Sequence, residues 1–166
     1  MKPFVPRPET RADLRRTFGQ FATGVTVVTT LSDQGPLGMT VNSFTSVSLD
    51  PPLVLWAPAA SSRRHDGFVR APEFCIHVLC ADQLGLAQHF AAQGYDFGAF
   101  DWSAGPNGAP TFEGCLATFH CTTHAVHPAG DHSLILGRVT HASEHQGDAE
   151  GLIFKRGQFG RFTPIG

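Results

Sequence analysis

Gly38-Met39-Thr40-Val41-Asn42-Ser43-Phe44-Thr45-Ser46-Val47-Ser48, running on into Leu49-Asp50-Pro51-Pro52, decides how this chain is read. The stretch joins two strongly β-like runs, residues 25–31 and 53–56. It crowds small hydroxyl and amide side chains into a segment that would otherwise be plain strand. Polar groups held on a rigid sheet orient a flat ligand with a polar edge. A simple strand-to-loop transition needs fewer of them.

Working outward, Val25-Thr26-Val27-Val28-Thr29-Thr30-Leu31 carries the β-branched residues that strands favour. Asp33-Gln34-Gly35 turns the chain, and 37–42 return as the second strand of a hairpin. Asp50-Pro51-Pro52 is a rigid turn into the strand 53–56. A further strand is expected over 74–80, with Phe74, Ile76 and Val78 on one face. Others are expected over 114–125, 133–145 and 152–155. Arg156-Gly157-Gln158 then turns the chain back to 159–162. Three short helices are expected. In the first, Thr10 and Asp13 resemble a capping box. Its Leu14, Phe18 and Phe21 fall at helical spacing, its Arg11, Arg15 and Arg16 form a solvated face, and it ends near 19–24. The second is capped by Ser61 or Ser62 and runs through Val69. The third is capped by Asp82, carries Leu84, Ala87 and Phe90, and frays at Gln93-Gly94. Residues 93–110, rich in glycine and proline, form a long loop of the kind that carries function or partner contacts. Residues 1–11 are an N-terminal arm, and 12–166 a single domain without repeat or linker. Six or more strands with two or three helices suggest a closed antiparallel barrel with helical inserts.

Composition narrows the function classes. With 166 residues the chain suits one domain with a real core. Apolar residues make up 42% and charged residues 16%, which argues against disorder. A net charge of −2 gives no electrostatic case for nucleic acid or a membrane surface. Low charge with 14 Phe points instead to apolar surface buried in an oligomer. The cysteines, Cys75, Cys80, Cys115 and Cys121, form no C-x-x-C pair and match no zinc spacing. They read as buried free thiols of a reducing, cytoplasmic compartment. The N-terminus lacks the apolar core of a signal peptide, and no segment is long and apolar enough to span a bilayer.

Three places carry candidate chemistry. Along Thr40 to Ser48, Asn42, Ser43, Ser46 and the nearby backbone suit the carbonyl and nitrogen rim of a flavin ring. The alternative is a polar edge strand with a capping turn. Ser61-Ser62-Arg63-Arg64 places hydroxyls, amides and two guanidinium groups where they can hold a phosphate; the alternative is a helix cap with solvated arginines. Gly130-Asp131-His132 opens a strand, and Asp131 can orient His132 for a proton shuttle or a nicotinamide contact. The alternative there is a turn with an incidental histidine. The remaining strand histidines show no metal spacing, and no metal is assigned. Gly-x-Gly-x-x-Gly, Walker and Gly-x-Ser-x-Gly motifs are missing. Any nicotinamide nucleotide therefore binds over a ring already in place rather than in a Rossmann domain.

Taken together, Phe21-Ala22-Thr23-Gly24-Val25-Thr26-Val27-Val28-Thr29-Thr30, the 38–52 stretch, Asp101-Trp102, Glu113-Gly114, Gly130-Asp131-His132 and Arg156-Gly157-Gln158-Phe159-Gly160 resemble the flavin reductase-like, FMN-binding split-barrel family. The family includes the reductase components of two-component flavin monooxygenases. The resemblance covers roughly residues 12–162. It implies a mainly β fold, a split antiparallel β-barrel with a few short helices, that assembles as a homodimer. It also implies reduction of FMN or FAD by NADH or NADPH, with reduced flavin passing to a separate monooxygenase. A split-barrel flavoprotein that keeps FMN and acts directly on an organic substrate is the alternative, and a non-catalytic flavin binder a third. By this analogy Thr40, Val41, Asn42, Ser43, Ser46, Val47 and Ser48 border the isoalloxazine. Ser61, Ser62 and Arg63 meet the phosphate, and Ala87 and Phe90 flank the ring from the helix side. Asp131 and His132 lie by the nicotinamide, with His132 in the catalytic role and Phe159 near the ring or the dinucleotide. Phe159 stands where the family often carries Tyr, so no hydroxyl contact is expected from it.

Overall fold

Strand Thr26–Ser32 (β2) is buried at five consecutive positions, Thr26 to Thr30. A continuous apolar and β-branched run implies cover on both faces of the sheet, and both are found. Side chains alternate along a strand, so Val27 joins one core with Leu86, Ala87, Phe90, Phe97 and Phe112. Val28 joins a second core with Leu37, Trp56, Phe68, Phe74 and Ile135.

The computed structural model describes residues 3–164. In chain order the elements are α1 (Arg11–Phe18), β1 (Thr23–Gly24), β2, β3 (Gly35–Val41), β4 (Thr45–Leu49), β5 (Pro52–Trp56), α2 (His65–Val69), β6 (Glu73–Val78) and α3 (Leu84–Ala92). They continue with β7 (Ser103–Ala104), β8 (Pro110–Thr111), β9 (Ala117–Ala129), β10 (His132–Glu144), β11 (Leu152–Lys155) and β12 (Gln158–Arg161). The main sheet has seven strands in the order β3-β2-β6-β9-β10-β5-β4. All neighbouring pairs are antiparallel. A three-stranded sheet, β1-β11-β12, is joined to it through Val25 N–H to Leu152 O (3.1 Å) and Leu152 N–H to Leu79 O (3.0 Å).

The two edges of the main sheet, β3 and β4, are consecutive in sequence and separated only by Asn42, Ser43 and Phe44. Six strand spacings in a flat sheet would set them about 29 Å apart. Four Cα steps reach about 15 Å at most. The sheet therefore rolls until its edges approach at this crossing. The edges are not hydrogen-bonded neighbours, so the barrel is split, which corrects the expectation of a closed one. The expected mainly β fold with short helices stands.

Local departures from expectation have local causes. The N-terminal arm is shorter than 1–11: a 3-10 turn over Pro8–Thr10 leads into α1 at Arg11, and Met1 and Lys2 lie outside the described residues. Thr10 does not cap α1. Its hydroxyl donates to Val5 O (2.9 Å) and accepts from Arg7 N–H (2.9 Å), closing the preceding turn. Asp13 pairs with Arg16 instead. The 3-10 turn Ala81–Gln83 precedes α3, and Gln83 rather than Asp82 reaches back, to Cys80 N–H at 3.2 Å. Gly38 is required where α3 lies on β3, since a Cβ there would sit 2.4 Å from Phe90 Cδ1. All four cysteines are free; Cys75, Cys115 and Cys121 are buried and Cys80 is half-buried. Among the described residues no helix is long and apolar enough to cross a membrane.

Candidate functional site

The crossing between the sheet edges is pinned by its own side chains. Ser43 Oγ accepts from Ala57 N–H at 2.9 Å and donates to Ala57 O at 3.3 Å, tying the crossing to the end of β5. Thr40 Oγ1 donates to Ala87 O at 2.7 Å. Two hydroxyls expected on a ligand are therefore engaged with backbone. Val41 is half-buried against the second core. Asn42, Ser46 and Val47 are exposed and Ser48 is half-buried. The pairing of β4 with β5 shifts between Ser46 and Ser48. Because β4 is a sheet edge, its outer row of main-chain N–H and C=O groups is open to a ligand.

A second segment meets this corner. Ser133 N–H donates to Pro58 O (3.1 Å) and Ala60 N–H to Asp131 O (2.8 Å), and Ala59 bridges His132. This clasp sets the Ser61-Ser62 turn beside the Asp131-His132 turn at the end of the long β9–β10 hairpin. Ser62 Oγ accepts from Arg64 N–H at 3.2 Å, so the serine closes the turn ahead of α2. Ser61 and Arg63 are exposed. Arg64 is not: its guanidinium donates to Phe90 O (2.6 Å), Ala91 O (3.1 Å) and Gly38 O (3.3 Å). Of the two guanidinium groups expected for a phosphate, one is withdrawn into the structure. Burial, then the neighbouring Arg63 charge, lowers the Arg64 pKa.

His132 Nδ1 donates to Asp131 Oδ1 at 2.7 Å. Asp131 Oδ2 in turn meets Arg11 at 3.5 Å. The hydrogen bond from His132, then the histidine's charge, holds the Asp131 carboxyl below its ordinary range, with a smaller push from Arg11. Fixing Nδ1 leaves the half-exposed imidazole presenting Nε2 outward.

An open cavity of about 1020 Å³ lies between α1, β1, the β11–β12 hairpin and Asn42. Arg11, Arg15 and Arg16, read as a solvated face, line it with Lys155 and Arg156. Phe18 and Phe21, expected at helical spacing on the apolar side of the first helix, are 69% and 76% exposed and line the same cavity, and the helix ends at Phe18, before Phe21. Phe159 does not line the cavity; it is exposed, with its ring 5.1 Å from that of Phe154, which does. Arg11 links the cavity to the Asp131-His132 turn. The overlooked signal was Lys155-Arg156 at the turn that returns the chain beside α1.

Ala87 and Phe90 do not face a ligand. Both are fully enclosed, Phe90 among Phe97, Phe100 and Phe112, because α3 packs its apolar stripe onto β2 and β3. They back the strand that leads into the crossing.

Comparison with known proteins fits this geometry. The model of the flavin reductase like domain matches residues 18–163. The FMN reductase (NADH) SmoA of Agrobacterium fabrum is 51% identical over 160 residues, 96% of this chain and 91% of that protein. The NADH:FAD oxidoreductase SgcE6 of Streptomyces globisporus, solved with NAD and FAD fragments, superposes with a TM-score of 0.89 at 42% identity, covering 98% of this chain and 99% of that one. BorF, the flavin reductase component of a bacterial two-component tryptophan halogenase, gives 0.84 at 40% identity over 92% and 98%. With the family pattern running through β1 to β12 and through both arms of the corner, the chain belongs to the flavin reductase-like family.

Proposed function

We propose that this protein is an NAD(P)H-dependent flavin reductase that reduces FMN or FAD and supplies the product to a separate flavin-dependent monooxygenase. NADH is the favoured donor, as in the relatives named for it. The observation that carries the site assignment is the clasp of Pro58 and Ala60 onto Asp131 and Ser133. It gathers the rim, the serine turn and His132 at one corner.

The residues fit a flavin. Asn42 is exposed and the outer edge of β4 carries free main-chain groups, matching the polar rim of the ring. Ser61 and Arg63, both exposed, supply a hydroxyl and a cation for a phosphate, while Ser62 holds the turn that presents them. The flavin, when bound, supplies the acceptor for a hydride at its N5 from the reduced nicotinamide. The chain contributes alignment, which is worth roughly 7 kcal/mol in favourable cases. Main-chain N–H groups along 42–48 stabilise negative charge at the edge of the ring. His132, its Nδ1 fixed by Asp131, offers Nε2 to the nicotinamide amide or to a proton in transit.

The reading extends to a homodimer. Leu49 is 96% exposed, and Val47 and Leu31 are also bare on edge and hairpin positions. An unpaired apolar edge of this kind calls for cover, and a second copy supplies it. Three buried free thiols suit a reducing, cytoplasmic setting.

Steady-state oxidation of NADH with added FMN and FAD tests the function. The expected result is turnover of free flavin by a protein that elutes colourless from gel filtration. Asn42→Ala should raise the flavin KM about tenfold, the worth of one hydrogen bond. His132→Ala should mainly lower kcat. No NADH oxidation with either flavin would overturn the function, and unchanged constants in both variants would overturn the site.

A further inference from the structure

We infer that His65 is a positioning residue for His132, acting through Ser133; this rests on the flavin reductase reading and names what holds its histidine in place. His132 is the first residue of β10, next to the turn Gly130-Asp131 at the tip of the long β9–β10 hairpin. Hairpin tips are where order is weakest. Opposite Ser133 stands Pro128, which has no N–H to lend to the ladder. The start of β10 is therefore held from its other side.

His65, the first residue of α2, supplies a tie there. Its Nε2 lies 2.9 Å from Ser133 Oγ, and its Nδ1 lies 2.9 Å from Asp66 Oδ1. An ionised Asp66 only accepts, so in the neutral ring Nδ1 carries the proton and Nε2 accepts from the Ser133 hydroxyl. Asp66 Oδ2 accepts in turn from Arg70 at 3.2 Å. The bond from His65, then the Arg70 charge, holds the Asp66 carboxyl below its ordinary range. Asp66 and Arg70 are exposed, so their pairing adds little stability. What the carboxylate fixes is the tautomer of a ring whose side chain is only 15% exposed.

Geometry separates this role from contact with the reactants. Side chains alternate along β10. Ser133 therefore shares a face with Ile135, which packs in the second core with Phe68 of α2, and His132 points the other way. His65 thus reaches His132 through the main chain. That main chain is already clasped by Ser133 N–H to Pro58 O and by Ala60 N–H to Asp131 O. His65 N–H also donates to Ser62 O at 3.0 Å, so one residue joins the serine turn to the strand that carries His132.

Ser133→Ala and His65→Leu remove the tie from either end. Each should lower kcat for NADH oxidation about tenfold, within the loss that a small misplacement causes. Flavin KM should change little, because the serine turn is held by the His65 main chain. In a His132→Ala background neither change should lower kcat further, since the effect runs through that ring. A merely structural tie would instead lower kcat by the same factor in both backgrounds. His65→Gln, whose amide oxygen still accepts from Ser133, should keep most of kcat. A second readout needs no turnover: the imidazole nitrogen signals of His132, measured by NMR, should move in Ser133→Ala and in His65→Leu. Additive losses of kcat in the double variants, or His132 signals unmoved in both single variants, overturn the inference. Wild-type protein that oxidises no NADH removes the reductase reading, and the His132 signals still decide whether His65 and Ser133 hold that ring.

Discussion

Replacing Arg64 by alanine should destabilise the fold without acting first on flavin. The side chain leaves the turn before α2 and passes Gly94, where a Cβ would meet its Cδ at 2.4 Å. It then ends on three carbonyls, Phe90 O at 2.6 Å, Ala91 O at 3.1 Å and Gly38 O at 3.3 Å. Phe90 and Ala91 belong to the last turn of α3, whose final carbonyls lack helical partners. A cation there also meets the negative end of the helix dipole. A hydrogen bond from a charged donor contributes about 1.5–3 kcal/mol when measured singly. The three share one guanidinium and the site is only half-buried, so water recovers part of the loss. A net cost of about 3 kcal/mol is the reasonable figure. For a chain of this length that lowers Tm by roughly 6–12 °C. Arg64→Lys keeps the charge but not the fork, so about half the loss should remain. Thermal unfolding by circular dichroism, with flavin KM measured below the transition, reads both effects. Arg63→Ala is the control with the opposite pattern: Tm unmoved and flavin KM raised about tenfold. An Arg64→Ala protein that melts within about 2 °C of wild type but binds flavin poorly would refute the assignment and return Arg64 to the phosphate.

Three further perturbations have defined outcomes. His77 is fully buried, with Nδ1 donating to Val27 O at 3.0 Å and Nε2 accepting from Phe112 N–H at 3.2 Å; burial pushes its pKa down to about 4. The unfolded chain therefore binds the extra proton first as pH falls below about 6.5, and stability is lost between there and about 4. Urea unfolding should show a loss of about 2 kcal/mol between pH 7 and pH 5 that His77→Gln removes, and an unaltered pH dependence in that variant would refute it. Gly38→Ala drives a methyl into the Phe90 ring and should cost about 2 kcal/mol by overpacking, again read by urea unfolding. Leu49→Asp, at a position 96% exposed in the single chain, should leave folding intact and shift sedimentation from dimer to monomer.

The fold was legible where burial is two-sided. Residues 26–30 read as strand because β-branched side chains cover both faces, and the turn at Asp33-Gln34 set the register that pairs Thr26 with Val41. Strand ends were less legible. β9 runs to Ala129, beyond the expected end at 125, and carries Pro128 within it. It is tolerated because the hairpin has left the body of the sheet there, opposite Ser133. Helix α1 shows a different limit. Spacing placed Leu14, Phe18 and Phe21 on one stripe, but spacing does not say what covers a stripe. Phe18 and Phe21 line an open cavity instead of a core.

The site shows why polar density locates a region but not its working atoms. A serine or threonine hydroxyl reaches nearby main chain more readily than a distant ligand. Thr40 and Ser43 do so, and in doing so hold the two sheet edges where the crossing needs them. Neighbouring Arg63 and Arg64 look equivalent in sequence, yet one is exposed and the other is spent on α3. The crossing must therefore be read by subtraction. Hydroxyls and guanidinium groups that close turns or cap helices are removed first. Asn42, Ser46, Ser61, Arg63, His132 Nε2 and the outer edge of β4 remain, and these are the groups whose hydrogen bonds a ligand can claim without dismantling the barrel.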